Sequence, residues 1–370
     1  MRVVQLVPNL VGGGAEAVVR HLSTALAAAG VDVTIVSIYP SGLGEAELAQ
    51  LGVPVIDLGR QGRGDRGYFR RLVRTLRELR PDVVHAHLHT GQYGGRAAAL
   101  VARVPAIVFT VHGVEPGGPI RWIADRVLNA GTARFVVFTE AQRRNLAAKE
   151  QVAPSRIAVI PNGAVAAPPA TPAQRDELRA SLGFDTDTFA LFFAGRLAPQ
   201  KNQGIAIEAL ASLRASGHRR LRLVLAGDGP LADDLRAWAE RLGVRDQVDF
   251  LGFRSDAIAL APAMDLFVMS SLWERMPLAL GEAMMAGLAV VTTPWDGYEE
   301  FVRDGDTGYV ATGFDAAALT GAILRAYDDD AQRAGVARRG QAAARAQFDI
   351  DAMARAHVAM YASLTRGPVG

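Results

Sequence analysis

A chain of 370 residues is longer than a single hydrophobic core usually grows, so two domains are expected. Half of the residues are hydrophobic and 21% are charged, which excludes a largely disordered chain, and the absence of cysteine excludes disulfides, thiolate metal sites and a cysteine nucleophile. The net charge of +2 conceals an asymmetry: residues 1–165 carry 19 basic and 12 acidic side chains, residues 166–370 carry 21 and 26, so the first part is the one expected to meet an anionic surface or partner.

The chain opens with an apolar run, "RVVQLV", and reaches glycines before any longer apolar stretch forms, so no signal peptide is expected. No segment approaches the roughly 20 apolar residues of a membrane span. In "PNLVGGGAEAVVRHL", Gly12, Gly13 and Gly14 lie between a strand and a helix, where backbone can pass close to a ligand and free N–H groups attract negative charge. Three readings fit this loop: a phosphate or sugar contact, a tight structural turn, or a dinucleotide fingerprint. The last lacks the acidic residue that would hold a ribose after the next strand, "VDVTIVSI".

The segment 60–80 follows, "RQGRGDRGYFRRLVRTLRELR", in which Phe69, Leu72, Val73, Leu76 and Leu79 recur at helical spacing between arginines. It reads as a helix packed on a sheet with a solvated basic face, or as a basic surface for anionic lipid or a lipid-diphosphate acceptor. Nucleic acid is not expected as a partner, since no aromatic platforms are interleaved with the arginines. In "DVVHAHLH", alternation places His85, His87 and His89 on one face of a strand and its exit; no carboxylates stand nearby in sequence to complete a metal site. The next strand, "PAIVFTVH", ends at His112, which serves either in packing or in a site. The strand "RFVVFT" and the run "IAVIPNG" close this series.

Residues 164–174, "AVAAPPATPAQ", read as a linker. A second series then repeats the first: "TFALFFAGR", "LRLVLAGDGP", "QVDFLG", "MDLFVMSS" and "LAVVTTPW", with helical patterns between and a closing helical segment, "DIDAMARAHVAMYASLTR". Strands alternating with helices imply βαβ units and parallel sheets covered on both faces. The expected fold is therefore α/β, with two Rossmann-like doubly wound domains facing across a cleft. The first spans 1–165, the second 166–350, and a C-terminal helix at about 350–370 packs back onto the first.

In such sheets ligands bind beyond the carboxyl ends of strands. The loop "GRLAPQKNQG" lies there, and Lys201 is one of only two lysines in the chain. Arg196 offers a planar fork and Lys201 a compact charge, a pair suited to a diphosphate. In "WERMPLALGEAMMAG", Pro277 suits the first turn of a helix that ends near Gly287. The N–H groups of Arg275 and Met276 would offer a seat for oxygen, with Glu274 and Glu282 as acceptors for hydroxyls. The plainer alternative is that Glu274 caps the helix and Glu282 lies on its surface.

In this order, "GGGAE", "GRLAPQKN", "LAGDGP", "SSLWERMPLALGEAMMAGLAVVTT" and "EEFVRDGDTGYV" resemble the retaining nucleotide-sugar glycosyltransferases of family 4, which share the two-Rossmann GT-B fold. The resemblance covers almost the whole chain and is densest over 190–312. It implies that Glu274 contacts donor-sugar hydroxyls, Glu282 the nucleotide ribose, and Arg196 and Lys201 the diphosphate. Gly13 or Gly14 would approach the phosphate or the acceptor, and His112 would stand near the sugar and the reacting centre. Glu274, His112, Arg196 and Lys201 are thus the expected catalytic set, with Gly13, Gly14, Arg275, Met276, Pro277, Leu278 and Glu282 binding substrate. The family pattern departs here at Arg275-Met276, where glycine and an aromatic are usual, and at Asp296-Gly297, where a double glycine is usual.

The activity so implied is transfer of a hexose from a UDP-sugar or GDP-mannose to a saccharide or lipid-linked acceptor in cell-surface polysaccharide or glycolipid synthesis. It would proceed with retention, without metal or cofactor, in the cytoplasm or at the inner face of its membrane. The alternatives are a sugar-nucleotide epimerase on the same fold and a catalytically silent sugar-nucleotide-binding scaffold.

Overall fold

The computed structural model describes residues 1–365 except 12, 63, 66, 113–118, 168 and 255, and for 119–123 the backbone alone. Gly12 of the glycine loop, Arg63 and Arg66 of the basic segment, and the residues just after His112 therefore lie outside the described residues. The chain forms two compact units. One comprises Met1–Gly163 together with the chain from Asp349 on, the other Ala164–Phe348.

The first unit is built on a seven-stranded parallel sheet. Its strands are β1 (Arg2–Val7), β2 (Asp32–Ser37), β3 (Val55–Asp57), β4 (Val83–His87), β5 (Ala106–Thr110), β6 (Arg134–Val137) and β7 (Ile157–Val159), in the spatial order β3-β2-β1-β4-β5-β6-β7. The second has six parallel strands: β8 (Phe189–Ala194), β9 (Leu221–Ala226), β10 (Val248–Gly252), β11 (Leu266–Met269), β12 (Ala289–Thr292) and β13 (Tyr309–Val310), in the order β10-β9-β8-β11-β12-β13. Each order reverses direction once, between β1 and β4 and between β8 and β11. Doubly wound sheets bind ligands beyond the carboxyl ends of the strands at such a reversal.

The strands β3, β7 and β13 did not stand out in the sequence. They are two or three residues long and lie at sheet edges, too short to show any periodicity. Elsewhere the strands are buried on both faces and almost wholly apolar, as in Phe192, Leu223, Val268 and Val291. Buried polar exceptions in the first sheet include Gln5, Ser37, His85, His87 and Thr110.

The helix Ile350–Thr365 returns to the first unit. It buries Met353, Ala354, His357, Met360 and Tyr361, spaced as one helical face, and packs against the helix Gly14–Ala28. The expected linker ends early. Thr171 accepts from Gln174 N and the Gln174 side chain returns to Thr171 N, a capping box that starts a helix at Pro172. The basic segment forms the helix Tyr68–Leu79, which buries Leu72, Val73 and Leu76 in the core and exposes Arg70, Arg74 and Arg77. Its apolar face is thus already used within the unit. No helix among the described residues is long and apolar enough to cross a membrane.

Candidate functional site

In the second unit the loops after β8 and β9 are joined by backbone. Gly195 N donates to Ala226 O at 3.0 Å and Leu197 N to Asp228 O at 2.9 Å. A Cβ on Gly227 would stand 1.9 Å from Gly195 O, and one on Gly229 would stand 2.3 Å from Leu197 O, so only glycine lets the two loops meet. This seam fixes the path of Arg196, whose carbonyl accepts from the buried Gln203 side chain at 2.7 Å. The Arg196 side chain itself is exposed and makes no ion pair among the described residues.

Lys201 ends a short turn, Pro199–Lys201, whose carbonyl accepts from Ser270 Oγ at the end of β11. Its ammonium meets Glu274 Oε1 at 2.5 Å, and Ser271 Oγ donates to the same oxygen at 2.6 Å. Gln200 adds a second tie: its carbonyl accepts from Leu272 N and its side chain donates to Trp273 O. The loop after β8 and the loop after β11 are therefore laced together across the switch point. Glu274 is 6% exposed and Lys201 21%, so the pair is largely out of water, where a lone charge would be costly and a satisfied one is held firmly.

The helix following this loop runs Leu278–Met285 with Pro277 as its cap residue. Pro277 was expected inside the first turn; its fixed φ of −75° fits the cap, with ψ of 104° still extended. The terminal N–H groups therefore belong to Leu278 and the residues after it, one turn later than Arg275 and Met276. The far end closes as a Schellman motif: Gly287 N bonds to Met284 O, Leu288 N to Ala283 O, and Gly287 has φ of +87°. Glu282 is half-buried on this helix, Met276 is buried, and burial lowers the pKa of the half-buried Arg275.

In the first unit, the helix Gly14–Ala28 begins at the glycine loop with Gly13 as cap. The Glu16 carboxylate folds back to 2.9 Å from where a Cβ on Gly13 would stand, so the loop's own acid sits near that helix end. Sheet register pairs Gln5 with His85 and His87 with Thr110. His85 Nδ1 lies 2.6 Å from Tyr361 Oη and its Nε2 2.6 Å from Thr110 Oγ1. His87 Nε2 lies 2.7 Å from Gln5 Oε1 and its Nδ1 3.1 Å from His112 Nε2. Burial holds His85 and His87 well below the ordinary imidazole range, lowers His112, and brings His357 to about 4.

His89 does not join this cluster, although alternation put it on the same face. The strand ends at His87, Leu88 turns with φ of +57°, and His89 instead faces the Tyr93 ring at 5.3 Å. No group of three or more His, Asp or Glu is placed to hold a metal among the described residues. A cavity of about 1030 Å³ opens at the opposite, amino-terminal end of the second sheet, beside Phe189 and Asp265. Its walls brace themselves, Arg175 and Arg179 both pairing with Asp265, and it shares no residue with the loops described above.

Ser271, Gln200, Gln5 and Tyr361 were not singled out in the sequence. Only Gln5 carried a signal, as a lone amide within an apolar strand. Comparison with known proteins gives a consistent result. Residues 12–166 match the glycosyltransferase family 4 model and residues 174–343 the model of glycosyl transferases group 1. The chain is similar to the UDP-Gal:alpha-D-GlcNAc-diphosphoundecaprenol alpha-1,3-galactosyltransferase of Escherichia coli, 30% identical over 70% of this chain and 69% of that one. It is 31% identical to the glycogen synthase of Mycobacterium tuberculosis, over 97% of this chain and 93% of that one. Among solved structures, Anabaena Alr3699/HepE in complex with UDP and glucose superposes with a TM-score of 0.86 at 24% identity, over 98% of this chain and all of that one. WaaG, a glycosyltransferase of lipopolysaccharide biosynthesis, gives 0.78 at 22%, over 99% of this chain and all of that one.

Proposed function

The chain belongs to the group 1 glycosyltransferases of family 4, which act on nucleotide sugars, and from that premise we propose that it moves a hexose from a UDP-sugar to a saccharide or lipid-linked acceptor. The carrying observation is the Lys201–Glu274–Ser271 cluster beside the exposed Arg196 at the switch point of the second sheet. A nucleoside diphosphate sugar brings anionic oxygens for Lys201 and Arg196 and hydroxyls for Glu274, replacing one ion pair with two sets of contacts. Both cations then stabilise the charge that grows on the leaving diphosphate, with no metal ion required. As the C1–O bond to the diphosphate breaks, the acceptor oxygen bonds to C1 from the same face and its proton passes to the departing phosphate, retaining the anomeric configuration.

UDP is favoured over GDP as the base because Alr3699/HepE structures hold UDP and UDP-glucose and the Escherichia coli relative uses UDP-Gal. That relative's diphosphoundecaprenol substrate supports a lipid-linked acceptor. The exposed arginines of helix Tyr68–Leu79 would then meet anionic lipid at the cytoplasmic membrane face.

The test is nucleotide release from a panel of UDP- and GDP-sugars, with and without acceptor, for wild type, Lys201→Ala, Glu274→Ala and Glu282→Ala. Lys201→Ala and Glu274→Ala should lower kcat by about 10²–10³, while Glu282→Ala should chiefly raise the donor KM. Normal turnover by Lys201→Ala would remove the diphosphate role. An altered sugar nucleotide formed without acceptor would instead mark an epimerase, and donor binding with no hydrolysis at all a silent scaffold.

A further inference from the structure

Protons in the histidine cluster can be placed one bond at a time. The Gln5 amide directs Nε2 to Tyr361 Oη at 3.3 Å and Oε1 to His87 Nε2 at 2.7 Å. A carbonyl oxygen only accepts, so His87 carries its proton on Nε2. His87 is neutral, so its Nδ1 is bare, and the neighbour at 3.1 Å, His112 Nε2, must be the donor. Tyr361 in turn accepts from Gln5 and donates to His85 Nδ1, leaving His85 Nε2–H for Thr110 Oγ1. With the amide so placed, the protons of His87 and His112 are fixed, and every bond has one donor and one acceptor. The Phe138 ring, 5.5 Å from that of His112, supports the imidazole from a second side.

Resting on the reading that His112 meets the donor sugar, we infer that Gln5 and His87 are positioning residues that hold His112 in its Nε2–H tautomer. His112 then offers bare Nδ1 as an acceptor for a substrate hydroxyl. Among the described residues His112 has no carboxylate partner, and its ring bond to His87 is the end of a relay that begins on β1. The buried site of Gln5 and His87 needs no amide for packing alone, where an apolar side chain of similar volume would fill the space without a polar atom to satisfy. His87 is faced by Gln5 from β1, His85 on its own strand, His112 beyond β5, and His357 from the last helix. None of these is charged near neutral pH, so the relay holds one proton arrangement across the physiological range.

The experiment is imidazole ¹⁵N NMR on the histidine-labelled whole protein, with His112 assigned from the signal lost in His112→Gln. At pH 7 both His87 and His112 should be neutral with the proton on Nε2. A proton on Nδ1 of His112 would overturn the inference, and this reading needs no active donor, so it stands apart from the fate of the proposed reaction. Gln5→Glu supplies the kinetic arm. A carboxylate beside His87 Nε2 raises its pKa, and the imidazolium then donates from Nδ1 and forces the opposite tautomer on His112. Turnover should therefore fall as pH drops through the new His87 ionisation, a limb absent from wild type. The neutral Gln5→Met should lower kcat by up to roughly tenfold, the worth of one hydrogen bond, leave donor KM near its original value and show no new limb. If His87 titrates in Gln5→Glu by NMR while the pH–rate profile matches wild type, the positioning role is wrong.

Discussion

Lys201 is a case in which scarcity was informative. One of two lysines in an arginine-rich chain, it sits at a strand end, and the structure gives it a carboxylate partner 73 residues away. Glu274 was legible for the same reason, by its place before a helix. The serines that complete the cluster were not, because a hydroxyl's partner depends on which loops meet, and that is decided by sheet order rather than local pattern. The histidines lead to a pH prediction. His21 and His357 are each held to about 4, chiefly by burial, against 6.5 when unfolded. Between these values the unfolded chain binds more protons than the folded one, so stability rises with pH and is lost on acidification. His85 and His87 act in the same direction. Thermal melting should show a Tm that is steady above pH 6.5 and falls towards pH 4, the shifts of His21 and His357 alone removing on the order of a few kcal/mol. A Tm unchanged over that range would mean that these rings reach water in the folded state.

At the scale of elements, the long strands were readable because each carries its own pattern, whereas the Thr171–Gln174 capping box was passed over inside a Pro- and Ala-rich run that read as a linker. The loops carry less, since their shape comes from contact with other loops. Gly227 illustrates the point: its Cβ would strike Gly195 O, yet nothing in "LAGDGP" says which carbonyl lies opposite. Gly227→Ala should destabilise the second unit by about 3 kcal/mol or more, as forced backbone displacement in a packed region does. Chemical denaturation of the isolated change would show it as a lower midpoint. Because the same seam sets the path of Arg196, donor KM should rise in that variant even where it remains folded. A midpoint equal to wild type would show that the seam can open without strain.

For the whole molecule, the two parallel doubly wound sheets were legible from alternation of strands and helices, and the family match agrees with that architecture, while the strand orders came only with the structure. That the last helix packs back onto the first unit was expected as well, but the tie between that helix and the sheet was not legible residue by residue. It rests on Tyr361 bonding to Gln5 and His85, residues that no local pattern relates. Deleting the chain after Phe348 should leave the second unit resistant to limited proteolysis while the first is cut rapidly, with His85 and His87 gaining access to water; equal resistance of both units would show that the last helix adds nothing to the first. The same tie sets a timetable. The last strand of the first sheet ends at Val159 and Tyr361 follows 202 residues later, an interval of roughly 10–40 s at a ribosome's usual pace. Through most of that time the first sheet is outside the ribosome with its polar centre open, until synthesis reaches the helix that closes it.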